Sequence, residues 1–377
     1  MTDTAQFQDI VDHVTPDTLR ALAELPAPVV SFYVPTARHR PESERAALEL
    51  RALLEPAADE LVAAGGSAEQ AQELLAPVRA LQEDPLIWDE QAEGLAIFAS
   101  PAGLRTFRLA RSVGPARVTG SVAHLIPLVP IAAGDDRFVV LALSQKQVRL
   151  FDATPHSITP MPLGDTPADI DDMDRRNVRQ SQLQHQHQPR PGAGGQTAGH
   201  HGHGADVSSV QLEKFVREVA AGAREAIGRH AAPPLVLAAV EEYLPRLTET
   251  GLLPTLLDDV VAGNPDATAP AELLERSRAI AVARLDAATA ERRERAEELV
   301  GTGRATVDPG SVLTAAQEGR VGELLIDPDA EGIAGHDAAA DATSLDEAVV
   351  AALLTGAELH HVTGLPDSAR SAALLRY

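Results

Sequence analysis

Residues 180–204 are rich in Gln, His and Gly and carry almost no apolar side chain after Leu183. Such a stretch cannot bury a core, so a mobile loop is predicted there, with folded elements on either side. A strand hairpin precedes it and a strongly periodic helix follows. Inside it lies Arg190-Pro191-Gly192-Ala193-Gly194-Gly195-Gln196. Glycine tolerates φ > 0 and lets a ligand approach the backbone closely. Gly194, Gly195 and Gln196 are therefore candidate catalytic residues; the competing reading is a chance triplet in a glycine-rich loop. His185, His187, His200, His201 and His203 could ligate a metal. They lack carboxylate or thiolate partners nearby, so no dedicated metal site and no cofactor is expected.

The chain has 377 residues and a net charge of -23. That charge argues against broad, non-specific nucleic-acid binding, which needs clustered Lys and Arg. It leaves room for a local patch, and Arg175, Arg176, Arg179 and Arg190 form one just before the glycine triplet. They are the candidate RNA-binding residues. Cysteine is absent, which excludes disulfides, thiolate metal sites and cysteine nucleophiles. No apolar run approaches a membrane span, and Met1-Thr2-Asp3-Thr4 lacks the basic and apolar regions of a signal peptide. A cytoplasmic protein with no membrane and no DNA partner is the expectation.

Taken in order, Thr15-Pro16-Asp17 predicts a helix over 18–25, and 29–34 is a buried strand. Helices are predicted over 43–64 and 67–82, and strands over 94–100, 104–109 and 117–122. Residues 138–143 and 148–151 form a hairpin. The acidic run 165–174 is most simply a solvated face; Mg²⁺ binding is the alternative. The helix over 207–228 turns Val210, Phe215, Val219 and Ala223 toward a core. Residues 235–240 read as a strand buried on both faces. Glu241-Glu242-Tyr243 follows, either a solvated turn with Tyr243 packed on the core or a ligand site beyond a strand end. A long Arg/Glu-laced helix spans 270–300. Helices over 311–318 and 344–355 and strands over 321–326, 358–362 and 371–377 complete the chain. The fold class is α/β, with three consecutive α/β domains at 1–123, 124–250 (180–206 flexible) and 251–377.

That order of elements, with Gly194-Gly195-Gln196 in the second domain, resembles the archaeal and eukaryotic peptide-chain release factors and Pelota. It looks most like the bacterial members of that superfamily, a group that includes the hibernation factor Balon. Val29 to Pro35 is similar to their opening strand, and the hairpin at 138–151 to the start of their middle domain. Glu318-Gly319-Arg320-Val321-Gly322-Glu323 and the terminal Ala373-Leu374-Leu375-Arg376-Tyr377 resemble signatures of their third domain. Val240-Glu241-Glu242-Tyr243-Leu244-Pro245 is typical of one bacterial subfamily.

The resemblance implies an RNase H-like middle domain without recognisable nuclease carboxylates and a ribosomal-protein-like C-terminal domain. It implies a ribosome-associated factor at the A site, acting in rescue, termination-like release or hibernation. The implied partners are rRNA and peptidyl-tRNA, with a translational GTPase as a candidate. Gln196 would orient water or stabilise the developing oxyanion, since its amide does not titrate near neutral pH. Peptidyl-tRNA hydrolysis and non-catalytic A-site occupancy both stay open. Two departures stand out. The first domain has no Asn-Ile-Lys-Ser-like decoding motif, and 197–206 is longer and richer in His and Gly than the release factors' loop. The alternative is a non-ribosomal regulatory or stress-response binding protein that keeps the fold without catalysis. An unrelated hydrolase is disfavoured because no nucleophile-elbow motif accompanies the histidines and serines.

Overall fold

The structure is a computed structural model that describes residues 11–12, 14–37, 42–89, 91–176, 204–228, 233–327 and 340–377. The chain opens with α1 (Pro16–Ala23), β1 (Val29–Pro35), α2 (Glu42–Leu54), α3 (Ala57–Ala63), α4 (Ala68–Glu83) and α5 (Pro85–Asp89). Strands β2 (Gly94–Ser100), β3 (Gly103–Leu109) and β4 (Ala116–Gly120) follow, then α6 (Val129–Ala133). The middle carries β5 (Phe138–Leu143), β6 (Val148–Thr154), β7 (Ser157–Met161), helical residues 170–176 (α7), α8 (Gly204–Ile227), β8 (Leu235–Ala239), α9 (Tyr243–Glu249) and β9 (Leu256–Ala262). The last elements are α10 (Pro270–Val300), β10 (Ala305–Thr306), α11 (Pro309–Gln317), β11 (Val321–Ile326), α12 (Ala340–Leu354), β12 (Glu358–His361) and β13 (Ser371–Leu375).

These elements make an α/β protein with three sheets, ordered β3-β2-β1-β4, β7-β6-β5-β8-β9 and β10-β13-β11-β12. The chain divides into two compact units, residues 1–135 with 286–377, and residues 136–285.

In the first unit, β1 is apolar but for Ser31 and the Tyr33 hydroxyl because both of its faces are covered. Strand alternation turns Val30, Phe32 and Val34 toward α2–α4 and Val29 and Tyr33 toward the opposite core. That second core also contains Leu19 and Leu22 of α1, Leu125, Ile126, Leu128 and Val129, Val312 of α11 and Val349 of α12. The first and last segments of the chain therefore share one core. The predicted helix 43–64 is split, because Pro56 disfavours helical backbone at the residue before it and supplies no N–H. Gly65, at φ 104°, lets the chain reverse into α4. Ser67 and Gln70 then start α4 with a reciprocal cap, at 3.1 and 2.9 Å.

In the second unit, β5 pairs antiparallel with β6 and parallel with β8, and β8 pairs parallel with β9. Val139 and Leu141 face Phe215 and Val219 of α8; Phe138, Val140 and Ala142 face Leu273, Leu274 and Ala281 of α10. Double coverage explains the unbroken apolar runs at 138–143 and 235–239. The predicted stripe on α8 needs one correction. Phe215, Val219 and Ala223 are buried, but Val210 is 64% exposed. Helical phase favours Leu212 and Val216, which complete the buried face instead.

Candidate functional site

The site predicted from sequence lies in the second unit. Arg179, Arg190, Gly194, Gly195 and Gln196 fall outside the described residues, as do the five clustered histidines. What is described is the chain on either side of them, α7 before and α8 after.

Helix α7 grows out of the acidic run. Asp169 Oδ1 accepts from the Asp172 N–H at 2.6 Å, and Asp172 Oδ2 accepts from the Ala168 N–H at 3.2 Å. These bonds satisfy N–H groups that a helix start leaves without intrahelical partners. Burial pushes the Asp172 carboxyl up. The Ala168 N–H and the Arg176 and Arg175 guanidinium groups outweigh that and hold it below the usual carboxylate range. The run is thus more than a solvated face, since two of its carboxylates cap a helix.

Arg175 and Arg176 differ. Arg176 donates to the Asp165 carbonyl and pairs with Asp172, both at 2.8 Å, and reaches the Thr166 carbonyl at 3.4 Å. Its guanidinium pins the turn to the helix. Arg175 is 63% exposed and among the described residues has only long pairs, 3.8 Å to Asp169 and 3.9 Å to Asp172. A phosphate could replace those weak partners more readily than it could Arg176's.

Helix α8 packs against this element in two ways. Gln211 donates to the Asp174 carboxylate. Eleven residues further on, Gly222 lies so close to the turn that a Cβ there would sit 2.2 Å from Thr166 Oγ1 and 2.6 Å from its Cα. No side chain fits between the two backbones. Met173 is fully buried in the core that contains Phe215 and Val219. The structure therefore brings together the chain entering and leaving the segment that holds Gly194-Gly195-Gln196. Sequence reasoning passed over Gly222 and Thr166. The available signal was an isolated glycine in the middle of a helical pattern, which implies a close packing partner.

Tyr243 takes the core-packing role expected of it. It is 2% exposed at the start of α9, in the core with Val219 and Leu237. Burial pushes its hydroxyl up, and Glu242 adds to that. The neighbouring Glu241 and Glu242 are exposed. Among the described residues no group of three or more His, Asp or Glu is arranged to hold a metal ion, and no helix is long and apolar enough to cross a membrane.

Comparison with known proteins adds a sequence-level finding. Residues 137–320 match the profile of the bacterial archaeo-eukaryotic release factor family 3. A comparison with curated proteins gives no match. Among solved structures, the archaeal translation termination factor aRF1 is 15% identical over 97% of this chain and 99% of its own, with a TM-score of 0.24. S. cerevisiae Dom34, described as a termination-like factor in RNA quality control that interacts with Hbs1, is 9% identical over 75% and 80%, with a TM-score of 0.39. Archaeoglobus fulgidus Pelota is 14% identical over 75% and 79%, with a TM-score of 0.32.

Proposed function

We propose, on the ground that residues 137–320 match the bacterial archaeo-eukaryotic release factor family 3, that the chain is a ribosome-associated translation factor that occupies the A site in rescue, release or hibernation. The family match is the observation that carries this reading. Charge distribution supports it. Residues 175–230 hold eight Lys and Arg against four Asp and Glu, a net +4 inside a chain of -23. A basic window of that kind, centred on the glycine triplet, suits a face presented to rRNA and tRNA phosphates. Arg175 supplies a phosphate contact in this proposal, joined by Arg179 and Arg190, while Arg176 positions the turn.

Within that role, Gln196 acts on the peptidyl-tRNA ester by orientation, not by proton abstraction. Its backbone N–H and side-chain amide donate to the oxygen that gains charge, and Gly194 and Gly195 leave room for the ester to approach. The clamped flanks, Asp174 with Gln211 and Thr166 against Gly222, fix where the segment leaves and rejoins the unit. The proposal extends to three functional segments at 1–123, 124–250 and 251–377, with an RNase H-like middle one, to a cytoplasmic location and to a translational GTPase as delivery partner.

A second reading has one observation in its favour. Arg175 and Arg176 already face carboxylates, which suits a non-ribosomal binding protein that has kept the fold. Release of peptide from ribosomes loaded with peptidyl-tRNA separates the readings. Release by the natural chain that disappears in Gln196→Ala identifies a hydrolase. Ribosome binding without release in either protein identifies an A-site occupant. No binding sinks the ribosomal reading and leaves the second.

A further inference from the structure

The first unit contains an open groove of about 840 Å³ between the α3–α4 hairpin and the end of the β3-β2-β1-β4 sheet. Leu61, Ala71, Leu74 and Pro77 form its helical wall, and Ala99 and Leu104 its sheet wall. The volume lies within the range of sites that take small ligands or a few side chains. Its lining contains one charged residue, Glu73, and no cation. The wider hairpin is acidic as well: residues 57–83 carry five carboxylates against one cation, Arg79.

Those carboxylates are not equivalent. Glu60 is consumed by a fork from Arg117, whose Nε lies 3.1 and 3.0 Å from its two oxygens. Glu69 sits in the first turn of α4, where the helix N-terminus favours negative charge. Glu73 has neither explanation. It is exposed one turn later, on the same face as Glu69, and among the described residues it has no ion-pair partner. An apolar trough with an unmatched carboxylate on its rim is complementary to a chain that offers apolar anchors beside a positive charge.

We infer that this groove docks a basic, apolar-anchored peptide segment of another protein: leucine, valine or proline side chains in the trough and a lysine or arginine on Glu73. A polyanion has no cation to meet there. The inference goes beyond the ribosomal reading and holds whether or not that reading does.

The test is fluorescence anisotropy on the full chain with short labelled peptides. Each carries two Lys or Arg among Leu, Val and Pro, and each is matched by a peptide of equal charge with serine at the apolar positions. A short oligouridylate is the third probe. The apolar-basic peptides are expected to bind about tenfold more tightly than their serine counterparts. Glu73→Gln is expected to weaken them about fivefold, whereas Glu242→Gln, an equally exposed carboxylate in the other unit, changes binding by less than about twofold. Equal binding of the serine peptides, no binding of any peptide, indifference to Glu73→Gln, or tighter binding of the oligouridylate would each overturn the inference.

Discussion

Two carboxylate clusters, one in each unit, show how burial changes what the same group does. In the first unit, His124 Nδ1 faces both oxygens of Asp346, at 2.8 and 2.9 Å, and each side chain is 2% exposed. The His124 N–H donates to Ser31 Oγ at 3.0 Å, and the Tyr33 hydroxyl donates to the His124 carbonyl at 2.6 Å. Burial pushes the Asp346 carboxyl up, and His124 recovers only part of that. In the second unit, Asp169 and Asp172 meet Arg175 and Arg176 at the surface, and Asp172 is held below its usual range. The buried pair, bonded to β1 through Ser31 and Tyr33, ties the first segment to α12 of the last. The surface cluster shapes a helix start and can exchange partners.

The largest effect should come from breaking the buried pair. Asp346→Ala leaves the His124 ring without its acceptor and should cost about 3–5 kcal/mol. Urea unfolding followed through Trp88, the chain's single tryptophan and itself in the first unit, measures this. A loss below about 1 kcal/mol would mean the pair is not the joint described. Next comes Gly222→Ala, which forces a methyl against Thr166 and should cost about 1–3 kcal/mol in the second unit. Unchanged stability would show that α8 can move away from the turn, and the clamp on the glycine segment would fall with it.

Acid titration sharpens the contrast in sign. Asp346 has a raised folded value. Its contribution favours folding fully below the ordinary carboxylate range and is lost as pH rises through the folded value. Asp172 has a lowered one. Its contribution is full above the ordinary range and is lost as pH falls through the folded value. Asp346→Asn should therefore remove a gain on acidification from the first unit, and Asp172→Asn a loss from the second. Unfolding free energies measured from neutral to acid pH would expose the same sign in both. The smallest effect is that of Arg175→Ala, whose long, exposed pairs should contribute less than about 0.5 kcal/mol to stability. A larger change would make Arg175 a structural residue like Arg176.

Much of this was legible in the sequence, for physical reasons. Strands covered on both faces, at 138–143 and 235–239, are apolar without interruption, the one at 29–35 nearly so, and helices with Ser or Thr caps announce their starts. What escaped was either polar or long-range. Strand β9 alternates weakly and carries exposed Asp258 and Asp259 on a sheet edge, so its sequence resembles a loop. Strand β7 contains Pro160, tolerated because it too is an edge. The His124–Asp346 pair spans more than two hundred residues, and no local pattern foretells it. The shared core of the first and last segments is hidden for the same reason. At the site, the residues visible in sequence were the glycine triplet and its arginines, whereas the packing that holds the flanking chain rests on Thr166, Gly222 and Gln211, which match no motif.

The most direct test of the central claim is cosedimentation of the purified chain with bacterial ribosomes over a range of salt. The account predicts binding whose logarithm falls linearly with the logarithm of salt, and a slope reduced by about one in Arg175→Ala. Absence of binding at low salt, or binding indifferent to salt, would contradict it.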